Sequence, residues 1–329
     1  MSELRAVLVG LGQMGRHHAR ALGALEGVEL VGVHDPALTR ESAAVAGLPL
    51  QDGVDDLLAL EPDLAVVATP TSTHLDLGRR LAAAGVHTLI EKPVAGSADD
   101  GRSLVEAFAG TGLVAGVGHI ERYNPALQEM RRRLDDGQVG EIYQVATRRT
   151  GPYPARIGDV GVALDLATHD IDLTAWVTRS AYRSVSAHTA HRSGRVHEDL
   201  VTAVAMLDNG IVANHVVNWL SPLKERITVV TGERGSLVAD TVAMDLTFYA
   251  NGVAPVEWET LRSFKGVVQG DVIRYAIAKP EPLAVELTCF RDAVLGLHDH
   301  VVGLAEATRV VEVAEALLAS ARSGTTVPL

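Results

Sequence analysis

The chain has 329 residues, 47% hydrophobic and 21% charged, enough apolar material for one large domain or two ordinary ones. Its formal net charge of −12 repels phosphate at long range, which argues against nucleic acid or an anionic membrane as partner, although a local basic patch can still hold a small anion. A single cysteine, Cys289, excludes an intrachain disulfide and a cysteine-built metal cage.

The first 118 residues alternate short apolar runs with helix-like stretches. "RAVLVG" reads as a buried strand, followed by a helix over Met14–Leu25. "VELVGVHD" is a second strand, with a helix near Thr39–Ala46, and "LAVVAT" at 64–69 is a third. "THLDLGRRLAAAG" is a helix stopped by Gly85, and "VHTLIEKP" is a fourth strand closing on Pro93. Ser97 caps a helix with Asp99 and Asp100 in its first turn, and "LVAGVG" at 113–118 is a fifth strand. Continuous apolar strands between helices specify a doubly wound parallel sheet, an α/β Rossmann domain over residues 1–120.

A helix near 120–136 leads into a different pattern. Runs rich in Val and Thr, "EIYQVATRR", "LVTAVAMLD", "GIVANHVVNWL" and "ITVVTG", predict an α+β domain over 121–329 with a large, mostly antiparallel open sheet. "DNG" at 208–210 is a hairpin signal because Asn-Gly tolerates positive φ, and "ANG" at 250–252 reads as another turn. One helix enters at about 160–177, and two close the chain near 284–297 and 304–323, where they can pack back on the first domain. No run approaches the roughly 18 apolar residues of a membrane helix, and no leader-like segment precedes "RAVLVG"; the expectation is a cytoplasmic protein.

The chemistry concentrates in five segments. In "LVGLGQMGRHHARAL", Gly10 permits a tight turn, Gly12 lets the backbone approach a pyrophosphate, and Gly15 lets helix and strand pack closely, with Gln13 and Met14 at the helix start. Asp35 stands 20 positions after Gly15 at the end of the second strand, placed to bind ribose hydroxyls and to repel a 2′-phosphate. NAD is therefore expected over NADP, with Arg40 near enough to soften the preference. "TPTSTH" (Thr69, Pro70, Thr71, His74) and "EKP" (Glu91, Lys92) follow the third and fourth strands, on the edge where open α/β sheets bind ligands. In "DLATHDIDL", Asp165, His169 and Asp172 are spaced i, i+4, i+7 and share a helix face, so a carboxylate can orient the imidazole. A solvated polar face is the plain alternative. A zinc trio is another, but the cationic Lys92 counts against it, and no metal is expected. From Ile142 to Gly158 there is no acidic residue, yet Arg148, Arg149 and Arg156 occur, a local excess suited to phosphate oxygens. Residues 148 and 149 point to opposite faces of a strand, so at most one of them lines a cleft. "HED" at 197–199 opens a strand, and its role stays open.

Taken together, "GLGQMG", "HDP", "TPTSTH", "EKP" and "DLATHDID" resemble the glucose-fructose oxidoreductase/inositol dehydrogenase/rhizopine catabolism (Gfo/Idh/MocA) family over essentially the full length. The resemblance implies hydride transfer between a nicotinamide and the secondary alcohol of a sugar, nucleotide-linked amino sugar or cyclitol. It places Lys92, Asp165 and His169 on catalytic positions, with either Lys92 or His169 as immediate base. It also implies a second domain that binds substrate and assembles a homo-oligomer, a dimer or tetramer. "GHIERYNPA" and "RRTGPYPARIGDVG" are similar to members acting on nucleotide-linked amino sugars, UDP-N-acetylglucosamine 3-dehydrogenases among them. This makes Arg122, Tyr123, Asn124, Arg148, Arg156 and Asp172 substrate candidates. The alternatives are an inositol, free-sugar or dihydrodiol dehydrogenase, or an NAD-bound sensor on the same fold.

Overall fold

From Ala6 to Val9 the first strand, β1 (Leu4–Val9), has no polar side chain to offer to water, and the structure buries both of its faces. The computed structural model describes residues 3–39, 41, 47–154, 160–252 and 268–329. They form two compact units, one from residues 1–123 and 280–315, the other from 124–279 and 316–329.

In the first unit β1 joins β2 (Val28–His34), β3 (Leu64–Val67), β4 (His87–Glu91) and β5 (Ala115–Gly118) in a parallel sheet ordered β2-β1-β3-β4-β5. The helices α1 (Gln13–Leu22), α2 (Val54–Leu58), α3 (His74–Ala83) and α4 (Ala98–Phe108) lie on the connections. Leu8, Leu64, Val66, Leu89 and Ile90 are almost wholly buried. Each such side chain contributes about 1.5–3 kcal/mol on leaving water. The strand order reverses direction between β1 and β3, so the loops after those two strands open a crevice at the carboxyl edge of the sheet.

The helix expected to reach Leu25 ends at Leu22, capped by Gly23, and Gly27 at φ +76° turns the chain into β2. Ser97 caps α4 as expected, its hydroxyl accepting the Asp100 N–H at 3.2 Å, and Gly85 leaves α3 in the left-handed region at φ +77°. The helix expected near 39–46 lies outside the described residues. The helix Pro282–Val294 belongs to this unit, where Leu283, Leu287 and Phe290 join the core beneath β1.

The second unit opens with α5 (Pro125–Asp135). Its strands are β6 (Ile142–Pro152), β7 (Tyr182–Ala190), β8 (Leu200–Leu207), β9 (Val212–Asn218), β10 (Leu220–Gly232), β11 (Gly235–Asp240), β12 (Asp245–Gly252), β13 (Val268–Arg274) and β14 (Val327–Pro328). The sheet order is β13-β12-β11-β10-β6-β9-β8-β7-β14, and every pair is antiparallel except β6 with β9. "DNG" does turn β8 into β9, with Gly210 at φ +86°. "ANG" is not a turn: Asn251 and Gly252 are paired with Gln269 and Val268, so the ladder overrides the local signal.

Register separates the two faces of this sheet. Phe248, Leu237, Val230, Val145, Ala213, Ala205 and Val185 lie opposite one another from strand to strand, and all are buried. The adjacent row, Thr247, Val238, Val229, Ala146, Asn214, Val204 and Ser186, points the other way, and none of it is buried. The helix α6 (Thr168–Thr178) and α5 pack on the unit's sheet.

A buried polar chain ties α6 down. The Tyr182 hydroxyl donates to the Ile171 carbonyl at 3.3 Å, so it accepts from His215 Nε2 at 2.9 Å, while the Thr147 hydroxyl donates to His215 Nδ1 at 2.8 Å. Burial pushes the His215 imidazole down to about 4. In the unfolded chain it titrates near 6.5, so unfolding takes up a proton below that pH. Its share of stability is complete above pH 6.5 and drains away as the pH falls toward about 4. Urea unfolding followed from pH 7.5 to pH 4.5 should therefore show falling stability, on the order of 3 kcal/mol from this group, with a shallower fall in His215→Asn.

Candidate active site

The glycine loop is the tightest backbone contact of the first unit. Gly10 has φ +94°, and a Cβ there would fall 2.5 Å from the Ala68 carbonyl oxygen, against the loop that follows β3. A Cβ on Gly15 would fall 2.0 Å from the Gly10 carbonyl oxygen, which is how α1 comes down on β1. Gly12 is different, for a side chain there would meet nothing within 4 Å. It is the N-cap of α1, gives no side-chain cap, and no acidic residue stands in the first turn. The first N–H groups of α1, at Gln13 and Met14, thus stand at a positive helix end next to an open position, a cradle that suits a pyrophosphate.

Asp35 closes β2 beside this loop. Its Oδ2 accepts the Leu11 N–H at 2.6 Å and its Oδ1 the Ala37 N–H at 2.8 Å. Each oxygen keeps acceptor capacity for a ribose hydroxyl. After β3, the Thr69 and Thr73 hydroxyls are 2.7 Å apart, and Thr71–Thr73 makes a single 3₁₀ turn. His74 is buried between carbonyls, with Nδ1 3.0 Å from Pro93 O and Nε2 3.1 Å from Thr69 O. Its ring therefore braces the "TPTSTH" loop against the "EKP" loop, and burial lowers its pKa.

Around Glu91 of the "EKP" motif lie two ionisable groups, His18 and Glu286, that motif reading did not connect to it. His18 Nε2 is 2.8 Å from Glu91 Oε1, and both residues are buried. Glu91 Oε2 accepts the Lys92 backbone N–H at 3.2 Å. Burial alone would raise the Glu91 carboxyl, but the hydrogen bond and charge of His18, with Lys92, bring it below the ordinary range. Glu286, on the helix Pro282–Val294, is buried with no partner for either carboxyl oxygen among the described residues. Burial and the charge of Glu91 push it well above the ordinary range. The sequence signal for this set is weak: a histidine on α1 and a glutamate in an otherwise apolar helix.

In the second unit a π-helical turn, Ala163–Ala167, runs into α6 and carries Asp165. Asp165, His169 and Asp172 are buried at 5%, 7% and 1% exposure, which excludes a solvated polar face. Asp170, beside His169, is buried as well, and the Arg149 Nε donates to both of its oxygens at 3.2 Å. The strand arginines do point apart. Arg149 is spent on this pair, while Arg148 is exposed and 3.5 Å from Glu225. Arg156 and Arg40 lie outside the described residues. Arg122 pairs with Glu306 at 2.8 Å, and the Tyr123 hydroxyl donates to the His300 carbonyl at 3.2 Å. Asn124 caps α5 through the Ala126 N–H and donates to the Thr241 carbonyl. All three are buried, and these bonds give Tyr123 and Asn124 internal structural duties. Among the described residues no group of three or more His, Cys, Asp or Glu side chains is placed to hold a metal ion, and no helix is long and apolar enough to cross a membrane.

A parallel nucleotide-binding unit joined to a unit with a broad, mostly antiparallel sheet and a buried Asp–His helix defines a nicotinamide-dependent oxidoreductase. Residues 4–119 match the model of an oxidoreductase family with an NAD-binding Rossmann fold, and residues 127–238 match the GFO/IDH/MocA C-terminal domain. The chain belongs to the Gfo/Idh/MocA oxidoreductase family and carries its NAD-binding domain. It is 31% identical to UDP-N-acetylglucosamine 3-dehydrogenase of Acidithiobacillus ferrooxidans over 89% of this chain and 90% of that one. A crystal form of that enzyme superposes with a TM-score of 0.85 at 29% identity, over 98% of this chain and 99% of that one. The scyllo-inositol 2-dehydrogenase (NAD(+)) of Bacillus subtilis is 27% identical over 99% of this chain and 96% of that one. GenD2 from gentamicin A biosynthesis, solved in complex with NAD, gives a TM-score of 0.83 at 26% identity, over 100% of this chain and 97% of that one.

Gly15 and Gly12 separate by experiment. Gly15→Ala should cost about 1–3 kcal/mol of stability through its clash with Gly10. Gly12→Ala should unfold at the wild-type denaturant concentration, yet bind NAD roughly tenfold or more weakly by fluorescence titration, about 1.4 kcal/mol.

Proposed function

We propose that this protein is an NAD-dependent dehydrogenase acting on a secondary alcohol of a nucleotide-linked amino sugar. NAD, when bound, accepts or returns the hydride. The N–H groups at Gly12, Gln13 and Met14 hold the pyrophosphate, and Asp35 takes the ribose hydroxyls. Thr69, Pro70 and Thr71 line the same edge. His169 takes up or returns the hydroxyl proton, a role that suits an imidazole at neutral pH. Lys92 is assigned to stabilise the negative charge that develops in the reaction. Asp165 orients His169.

The observation that carries this reading is the burial of Asp165 and His169 one turn apart. Titratable groups held out of water cost stability and concentrate at functional sites. The substrate class rests on the Acidithiobacillus relative and on loop arginines suited to a diphosphate. With Arg149 committed to Asp170 and Arg148 on the face of β6 turned away from α6, that duty passes to Arg156. We further propose a homo-oligomer, a dimer or tetramer, assembled in the cytoplasm through the uncovered row of the broad sheet that includes Val204, Val229 and Val238.

Lys92→Ala and His169→Ala should each lower turnover roughly 100-fold or more, with NAD affinity little changed in His169→Ala. Normal turnover in both folded variants would mean that the site lies elsewhere. For the substrate, NADH formation should be compared on UDP-N-acetylglucosamine, free N-acetylglucosamine and myo-inositol. The reading expects a preference for the nucleotide-linked sugar that weakens with salt and in Arg156→Ala. Equal or better activity on myo-inositol or the free sugar would move the assignment to a plain cyclitol or sugar dehydrogenase.

A further inference from the structure

The glutamate of the "HED" motif grips the start of the helical segment that carries Asp165 and His169. Glu198 is buried just before β8. Its carbonyl oxygen accepts the Val162 N–H at 3.0 Å, and its Oε1 accepts the Ala163 N–H at 2.9 Å. Val162 and Ala163 are fully buried, so neither donor can turn to water instead. Gly161 is pressed onto the same carboxylate, for a Cβ there would fall 2.0–2.3 Å from its atoms. The Gly161 carbonyl in turn accepts the Asp165 N–H at 3.0 Å. One residue thereby fixes three successive positions, and the last bond reaches Asp165 directly. Its negative charge also stands at the N-terminal end of the helical segment, where the backbone dipoles favour it.

From Ala163 the chain makes its π-turn, a geometry that recurs at functional sites and is rarely adopted without outside support. The extra residue of that turn sets the direction in which Asp165 and His169 leave the backbone. We propose that Glu198 is a positioning residue for the reaction: by holding Gly161, Val162 and Ala163 it sets the register of the π-turn and aims Asp165 and His169. The proposal rests on the assignment of those two residues as catalytic.

The test is a double-mutant cycle with a second, activity-independent readout. Glu198→Ala should lower kcat at least about tenfold, the scale of a small misplacement of reacting groups, with the KM for substrate and the affinity for NAD within about threefold. Glu198→Gln keeps the Oε1 acceptor and should restore kcat to within about threefold of wild type. Gly161→Ala should also lower kcat at least about tenfold alone, but add little in the Glu198→Ala background, because the carboxylate its Cβ strikes is gone. Hydrogen–deuterium exchange over residues 160–169 should speed at least about tenfold in Glu198→Ala, with β8 unchanged. Multiplying losses in the double variant, failure of the glutamine to restore kcat, or unchanged exchange each overturns the proposal. Normal turnover in His169→Ala together with faster exchange in Glu198→Ala instead overturns the catalytic assignment and leaves the clamp standing.

Discussion

A carboxylate taken out of water carries a desolvation cost of several kcal/mol unless a counter-charge and hydrogen bonds meet it. Asp170 meets that condition beside His169, with both of its oxygens accepting from the Arg149 guanidinium and both side chains all but fully buried. The pair fastens α6 to β6 from within the core. Removing one partner alone would leave the other charge stranded, which is why such pairs are held rigidly once formed. The chain from Thr147 through His215 and Tyr182 to the Ile171 carbonyl ties the same helix to three strands of the sheet. Asp165 and His169 thus stand on a helix secured at its start, beside His169 and at Ile171.

The first unit solves a different problem, that of bringing backbone close to backbone. Gly10 and Gly15 are places where no side chain fits, and Gly12 is a place where one would fit but nothing of the protein stands. The two kinds of glycine serve distinct ends, the first fixing the fold and the second leaving room for a ligand. Under the neighbouring loop, the His74 ring is packed between two carbonyls, and Glu91 links His18 to the Lys92 backbone. The lysine is therefore carried on a braced turn rather than on a loose loop end.

Glu286 stands out against this economy. Buried carboxyl oxygens without partners destabilise a fold, and most native structures hold few of them. Burial and the charge of Glu91 nearby push the Glu286 carboxyl well above the ordinary range, since two carboxylates so placed do not both ionise readily.

Much of the first unit could be read from the sequence, because its rules are local. The glycine spacing, the apolar runs, the Ser97 cap and Asp35 depend on neighbours a few residues away or on the regular length of a βαβ unit. The i, i+4 spacing of Asp165 and His169 likewise suggested a shared face. Sequence could not tell whether that face met water or core, because that depends on what packs over it. Strand alternation put Arg148 and Arg149 on opposite sides, but only the position of Asp170 decided which was buried. Glu198 and Gly161 are 37 residues apart, and His18 and Glu91 are 73 apart, so no local pattern links either pair. "ANG" failed for the same reason: its turn propensity is local and small, and the ladder with β13 outweighs it. What the sequence determined by itself was the order of most strands and helices and the groups put forward as reactive. The tertiary structure decided which charges are buried and what answers them, because the cost of burying a charge depends on everything around it rather than on its neighbours along the chain.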